Sequence, residues 1–330
     1  MYRIRQFLAL AGLTALEATR EPVILLLTGA GVALAALAPL LFVLQFGEEG
    51  KLARDGGLAL HFVFGAIVAV YAASSALSRE MRSGTAAAVL SKPVGRPLFF
   101  LAKFAGVCVV VVAFSLCATV STLLCERVAE KFSLALTDQP VPYLTDWQTG
   151  CLLLLAPAAA LAAAALNHYF TRRPFGSAAF GLLIVSLLTV FLVSCFFDRA
   201  GSPHGFDPRV QWRILPASLL VTLGLVVLSS VALTLSVRLD TVPALAACGG
   251  VACLGLTSDY FLAERAAHSI GAACLYRLLP NWQHFWMADA LDRGGTIAPA
   301  YLAGTALYAL LCAAGVVCVG IALFGRSEVE

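Results

Sequence analysis

The sequence predicts an all-α fold, a polytopic bundle of about eight transmembrane helices preceded by an amphipathic helix at the amino terminus. Three observations carry this expectation. Of the 330 residues, 60% are hydrophobic and only 12% charged, with a mean hydropathy of +0.89, whereas soluble domains carry about 25% charged residues. The apolar residues are gathered into runs of about 20, the length a helix needs to cross roughly 30 Å of hydrocarbon. The runs are continuous, which excludes the alternating pattern of a membrane β-barrel and leaves the helix, whose backbone groups are satisfied within one segment.

The elements follow in order. Residues 1–21 carry Ile4, Phe7, Leu8, Leu10, Ala11 and Leu13 between Arg3, Arg5, Glu17 and Arg20, a composition suited to a helix lying in the membrane interface. No small-residue cleavage site follows the first apolar run, so that run is expected to be retained. Spans are predicted at 22–45, 58–78, 104–124, 148–167, 175–197, 214–237, 241–262 and 299–324, free of Asp, Glu, Lys and Arg except for Asp259 near the end of the seventh. Small residues crowd 158–165, 244–250 and 304–314, and small faces allow membrane helices to approach closely.

Eight crossings place both termini on one side. With the amino terminus inside, the inner loops hold 12 of the 22 basic residues, including Arg79, Arg82, Lys92, Arg96, Arg172 and Arg173. The longer outer loops hold 13 of the 19 acids. This bias favours cytoplasmic termini.

Composition also bounds function. A net charge of +3 without a basic run leaves no nucleic-acid footprint. Eight of the ten cysteines fall within spans, where cysteine acts as a small hydrophobe. Cys125 and Cys274 lie outside the spans, and a disulfide between them stays open. His61, His168, His204, His268 and His284 are scattered, with no HExxH spacing, and no GxxxxGK[ST] loop is present to cradle phosphate. Three readings remain: a transport subunit, a polytopic membrane enzyme, and a structural or regulatory membrane subunit.

The inner loop at 79–100, REMRSGTAAAVLSKPVGRPLFF, is the most informative stretch. Glu80 to Leu90 reads as a short helix. Ser91, Lys92, Pro93 and Gly95 make a turn, because proline fixes its own dihedral and disfavours helix in the residue before it. Pro97 opens the next helix where its missing N–H costs nothing. Such a loop is either a surface on which a soluble partner pushes or an ordinary solvated connection.

Glu80, Gly84-Thr85, Leu90-Ser91, Lys92-Pro93-Val94, Arg96 and Lys103 resemble the pattern of ABC-2 type permeases, the membrane-spanning subunits of ABC exporters. TALEATREPVILLL (14–27) is similar to that family's elbow helix and the start of its first span. YRLLPNWQHFWMADALDRGG (276–295), with the last span and FGRSEVE, is similar to its Leu-Pro-Asn segment and final helix. Most members of the resembled family have six spans where this sequence reads as eight.

The resemblance implies a single permease domain over 1–330. It comprises an elbow helix (1–21), a cytoplasmic coupling loop (79–100) and an outer-side loop or re-entrant segment (263–298). Glu80, Arg82, Gly84, Thr85, Pro93 and Arg96 become candidate contacts to a separate ABC ATPase subunit, which would bind the ATP and Mg, with no cofactor in this chain. A second permease copy or a paralogue, and membrane lipid, are the other implied partners, and the cell (inner) membrane the location. The tryptophans of 263–298 are expected at the headgroup level as anchors. The absence of buried charge suits an amphiphilic cargo.

Overall fold

The computed structural model describes residues 2–39, 50–82, 95–129, 146–197, 202–203, 205–206, 210–271, 273, 276 and 279–326. They form α1 (Tyr2–Thr19), α2 (Pro22–Leu37), α3 (Lys51–Arg82), α4 (Arg96–Val128), α5 (Trp147–Thr171), α6 (Phe175–Ser194), α7 (Ile214–Leu235), α8 (Thr241–Leu256), α9 (Ser258–His268) and α10 (Pro299–Arg326). Two short 3-10 turns, Trp282–Phe285 and Asp289–Gly294, precede α10.

Six of these helices, α3 to α7 and α10, are long and apolar enough to cross a membrane, and the bent pair α1–α2 would add a seventh if counted as one span. The chain turns by 66° between α1 and α2, and Pro22 opens α2, where its missing N–H is tolerated. The first and seventh expected spans differ from the rest. Helix α2 is described only to Leu37, and 40–49 lie outside the described residues. Helix α8 ends at Leu256, with Thr257 separating it from α9. Its 16 residues reach about 24 Å, short of the hydrocarbon thickness.

Helices α3, α4 and α7 form the centre, with α10 against α7, α1 against α4 and the α5–α6 hairpin beside α2. Side-chain size sets these approaches. Lipid offers no hydrophobic drive between helices, so close contact through small residues replaces it. A Cβ built on Gly65 of α3 would lie 2.4 Å from Leu225 of α7 and 3.0 Å from Phe114 of α4. One on Gly106 of α4 would lie 2.6 Å from the Ala11 carbonyl oxygen of α1. Helix α1 thus turns Ala11, Thr14 and Ala18 to the bundle and leaves Ile4, Leu8 and Leu16 exposed on the other side. Hydroxyls at Thr28, Ser121, Thr122 and Ser229 donate to carbonyls of their own helices, which satisfies them without water.

Several helices outrun their predicted spans. Helix α3 begins at Lys51, so Lys51, Arg54 and Asp55 belong to it, and α4 runs to Val128, past Cys125, Glu126 and Arg127. Hydropathy ends a span at the first charge, whereas the helix continues because these charges find partners. Cys125 is a free, buried thiol whose Sγ donates to the Ala35 carbonyl at 2.9 Å. Cys274 lies outside the described residues.

Candidate functional site

The inner turns expected from charge gather at one end of the bundle. The Tyr71 hydroxyl donates to Glu21 Oε2 at 3.1 Å, joining α3 to the start of α2. Ser78 Oγ lies 3.4 Å from Thr241 Oγ1, joining the end of α3 to the start of α8. Gly176, at the start of α6, sits against the backbone of Arg20. Arg96 Nη1 donates to the Gly325 carbonyl at 2.7 Å, joining the start of α4 to the end of α10.

Of the candidate coupling residues, Glu80 and Arg82 lie in the last turn of α3. They therefore extend the membrane helix rather than open a separate one. Gly84, Thr85 and Pro93, with the rest of 83–94, lie outside the described residues. Arg96 is the first residue of α4 and is exposed. Its bond to Gly325 meets one of the carbonyls that a helix leaves without an intrahelical partner in its last turn, where the dipole also favours a cation.

This contact is part of a larger clasp. Phe324 of α10 stacks on Phe99 at a centroid distance of 5.8 Å and meets Phe100 at 6.1 Å. Lys103 Nζ lies 5.6 Å from the Phe99 ring centroid, within cation–π range. Gly320 of α10 faces Phe100 so closely that a Cβ would stand 2.5 Å from its ring. The described chain therefore ends α3 beside the start of α8 and resumes at residue 95, before a helix start that is clasped to α10.

The sequence matches the family described as ABC-2 family transporter protein over residues 19–185. This stretch is half of the chain and runs from the end of α1 into α6, with the 79–100 loop inside it. The chain belongs to this ABC-2 family. It is a multi-pass membrane protein, the permease of an ABC-2 type transporter. A comparison with curated proteins finds no match.

The permease also contains features that sequence reasoning missed. Trp282 was expected at the headgroups. It is 1% exposed and packs in the central core with Phe285. Its ring lies against Gly255, where a Cβ would stand 2.3 Å away, and Gln283 Nε2 donates to the Leu256 carbonyl at 3.0 Å. Phe285 meets Gly224, near the midpoint of α7. The Leu279-Pro280-Asn281 segment thus runs in among the helices and occupies the space beside the end of α8. Asp259 holds it there, accepting from Tyr276 Oη and from Asn281 Nδ2, each at 2.7 Å. The bond to Asp259 raises the Tyr276 phenol above its ordinary pKa. Asn281 Oδ1 in turn accepts from the Gln283 N–H at 2.9 Å. The nearby Pro-Asn and Trp pattern was the available signal; its burial was not.

A second missed feature is the surroundings of His61, which is 1% exposed in the first half of α3. Its Nδ1 is 3.1 Å from Ser218 Oγ, which is hydrogen-bonded to Thr119 Oγ1, while its Nε2 has no hydrogen-bond partner among the described residues. It borders a cavity of about 10 Å³ shared with Thr28, Ser121 and Thr122, room for about one water. Counting only Asp, Glu, Lys and Arg in the spans hid this polar cluster.

Proposed function

We propose that the permease is the membrane half of an exporter that moves cargo outward on ATP hydrolysed by separate nucleotide-binding subunits. In this reading the end bearing Arg20, Arg96, Arg172 and Arg173 faces the cytoplasm, in line with the positive-inside bias, and both termini lie there in the cell membrane. The ATPase docks on 79–100, with Glu80, Arg82, Gly84, Thr85, Pro93 and Arg96 as its contacts, and supplies the ATP and Mg. A second permease copy or a paralogue completes the transport path.

The observation that carries this reading is the clasp at the start of α4. A push on 83–94 reaches α3 at one side and, through Arg96, Phe99 and Phe100, reaches α10 at the other. Movement of the loop is thereby passed to helices at the centre and at the edge of the bundle together. Packed helices respond to such a push by shifting as bodies, since close-packed cores deform little.

The test is co-purification of the tagged permease from its native membrane. Recovery of an ABC ATPase, lost in the Glu80→Ala/Arg96→Ala double variant while membrane insertion persists, is the expected result. A preparation free of ATPase, under conditions that preserve a known ABC complex, would overturn the reading.

A further inference from the structure

The α5–α6 hairpin and α2 enclose a groove of about 460 Å³. Its lining includes Leu25, Gly29 and Ala33 of α2, Pro157 and Leu161 of α5, and Ala179 of α6, and every lining residue is apolar. The groove extends along α2 from Pro22 to Ala33, about 17 Å at the helical rise. That is close to half of the roughly 30 Å hydrocarbon thickness. It therefore has the depth of one leaflet.

Its volume points to an occupant. A cavity of about 150 Å³ takes one benzene, or about 25 Å³ per carbon, so this groove holds a chain of about 18 carbons. Its mouth has the complementary charge for a lipid phosphate. Arg20 precedes Pro22 by two residues, and its carbonyl oxygen lies 2.8 Å from a Cβ built on Gly176. Arg172 and Arg173 stand in the turn just before α6. All three arginines are exposed. Among the neighbouring acids, Glu21 accepts from Tyr71, and Glu17 lies one turn before Arg20.

The arginine turn is held in shape. Arg172 caps α5 with φ 57°, a left-handed conformation that usually falls to glycine, and His168 Nδ1 lies 2.6 Å from the Arg173 carbonyl oxygen.

We propose that this groove binds one anionic phospholipid from the leaflet at the arginine-rich end, with an acyl chain between α2 and the α5–α6 hairpin and the phosphate at Arg20, Arg172 and Arg173. The inference rests on the membrane-spanning position of the permease and not on ATPase coupling, so either can fail alone.

Native mass spectrometry of the purified permease, titrated with dioleoyl phosphatidylglycerol or dioleoyl phosphatidylcholine, tests it. One phosphatidylglycerol should be retained per chain in preference to phosphatidylcholine. Each basic side chain beside an anionic headgroup is worth up to about fivefold in binding. Arg172→Gly/Arg173→Gln, which keeps the left-handed turn, should therefore weaken phosphatidylglycerol binding roughly thirtyfold and phosphatidylcholine binding much less, since the choline cation offsets the charge of its phosphate. Ala30→Phe should lower the occupancy of both lipids. Equal retention of the two lipids by the wild type would overturn the proposal. So would unchanged lipid binding in Ala30→Phe, or a dimer that this variant dissolves at constant lipid stoichiometry, which would assign the groove to a second copy.

Discussion

The two ends of the bundle handle charge in opposite ways. At the end formed by the starts of α3, α5 and α7, described charges form ion pairs, and Arg54, Arg127 and Asp146 are buried. Arg127, 1% exposed, donates from Nε to Asp146 at 2.9 Å and from Nη2 to the Phe197 carbonyl. Arg54 donates to Asp292 at 2.6 Å and to the Leu291 carbonyl, and Lys51 lies 3.2 Å from the same carboxylate. At the other end Arg20, Arg96, Arg172 and Arg173 are exposed, and an aromatic clasp holds the helices. One end is tied by ion pairs, and the other is tied by packing and the Arg96–Gly325 bond, with Arg20, Arg172 and Arg173 exposed beside it.

The sharpest break of this contrast is Arg127→Ala. Removing one member of a buried pair leaves an uncompensated charge and costs about 3–5 kcal/mol. The variant should unfold well below the wild type when thermal stability is followed by size-exclusion chromatography in detergent. Asp146 also caps α5, accepting from the Thr149 N–H at 2.9 Å, so loss of its partner disturbs a helix start as well. Stability equal to that of Arg173→Gln would mean that the two ends are alike after all.

Gly255→Ala comes next. The new methyl group would overlap Trp282 and the Pro280 carbonyl, and overpacking of this kind costs about 1–3 kcal/mol. The segment should shift outward, with Trp fluorescence moving to the red. An unchanged spectrum and stability would show that the Leu-Pro-Asn segment is not wedged against α8.

Arg96→Ala is expected to cost less, about 1 kcal/mol for one net hydrogen bond, because the Phe99–Phe324 stack persists. Hydrogen exchange should quicken in the last turn of α10 alone. Faster exchange throughout α4 would make Arg96 the chief tie at this end.

The smallest effect is one of pH. The hydrogen bond from Lys51, followed by the charges of Lys51 and Arg54, lowers the Asp292 carboxyl below its ordinary value of 3.8. A carboxylate lowered on folding stabilises above its ordinary pKa and loses that contribution as pH falls through the folded value. Asp292→Asn should therefore flatten the acid limb of the stability profile and leave neutral pH nearly unaffected, since exposed pairs contribute little. An unaltered acid limb would remove Asp292 from the ties at that end.

Much of this was legible in the sequence. Continuous apolar runs placed the membrane helices, Arg and Pro marked the turns that gather at one end, and the motif around 79–100 pointed to the family. The misplacements share a cause. Lys51, Arg54 and Arg127 were set outside the spans because a hydropathy window knows only that charge is costly in lipid, not that Asp292 stands opposite the first two and Asp146 opposite the third. Trp282 was set at the headgroups because its ring is amphipathic. Gly255, 27 residues earlier, is what makes room for it in the core. His61 was read only as one of five scattered histidines because Ser218 and Thr119 come to it from two other helices.

The sequence by itself determined that this chain lives in lipid, that its backbone must be helical there, and which family it joins, since each depends on the composition and order of short segments. Only the tertiary structure decided which charges are paired, that α8 stops short beside the Leu-Pro-Asn segment, and that α4 begins in a clasp with α10. Transfer into hydrocarbon is a property each segment carries alone. Pairing and close packing depend on what stands opposite, and that is set by helices far apart in the chain.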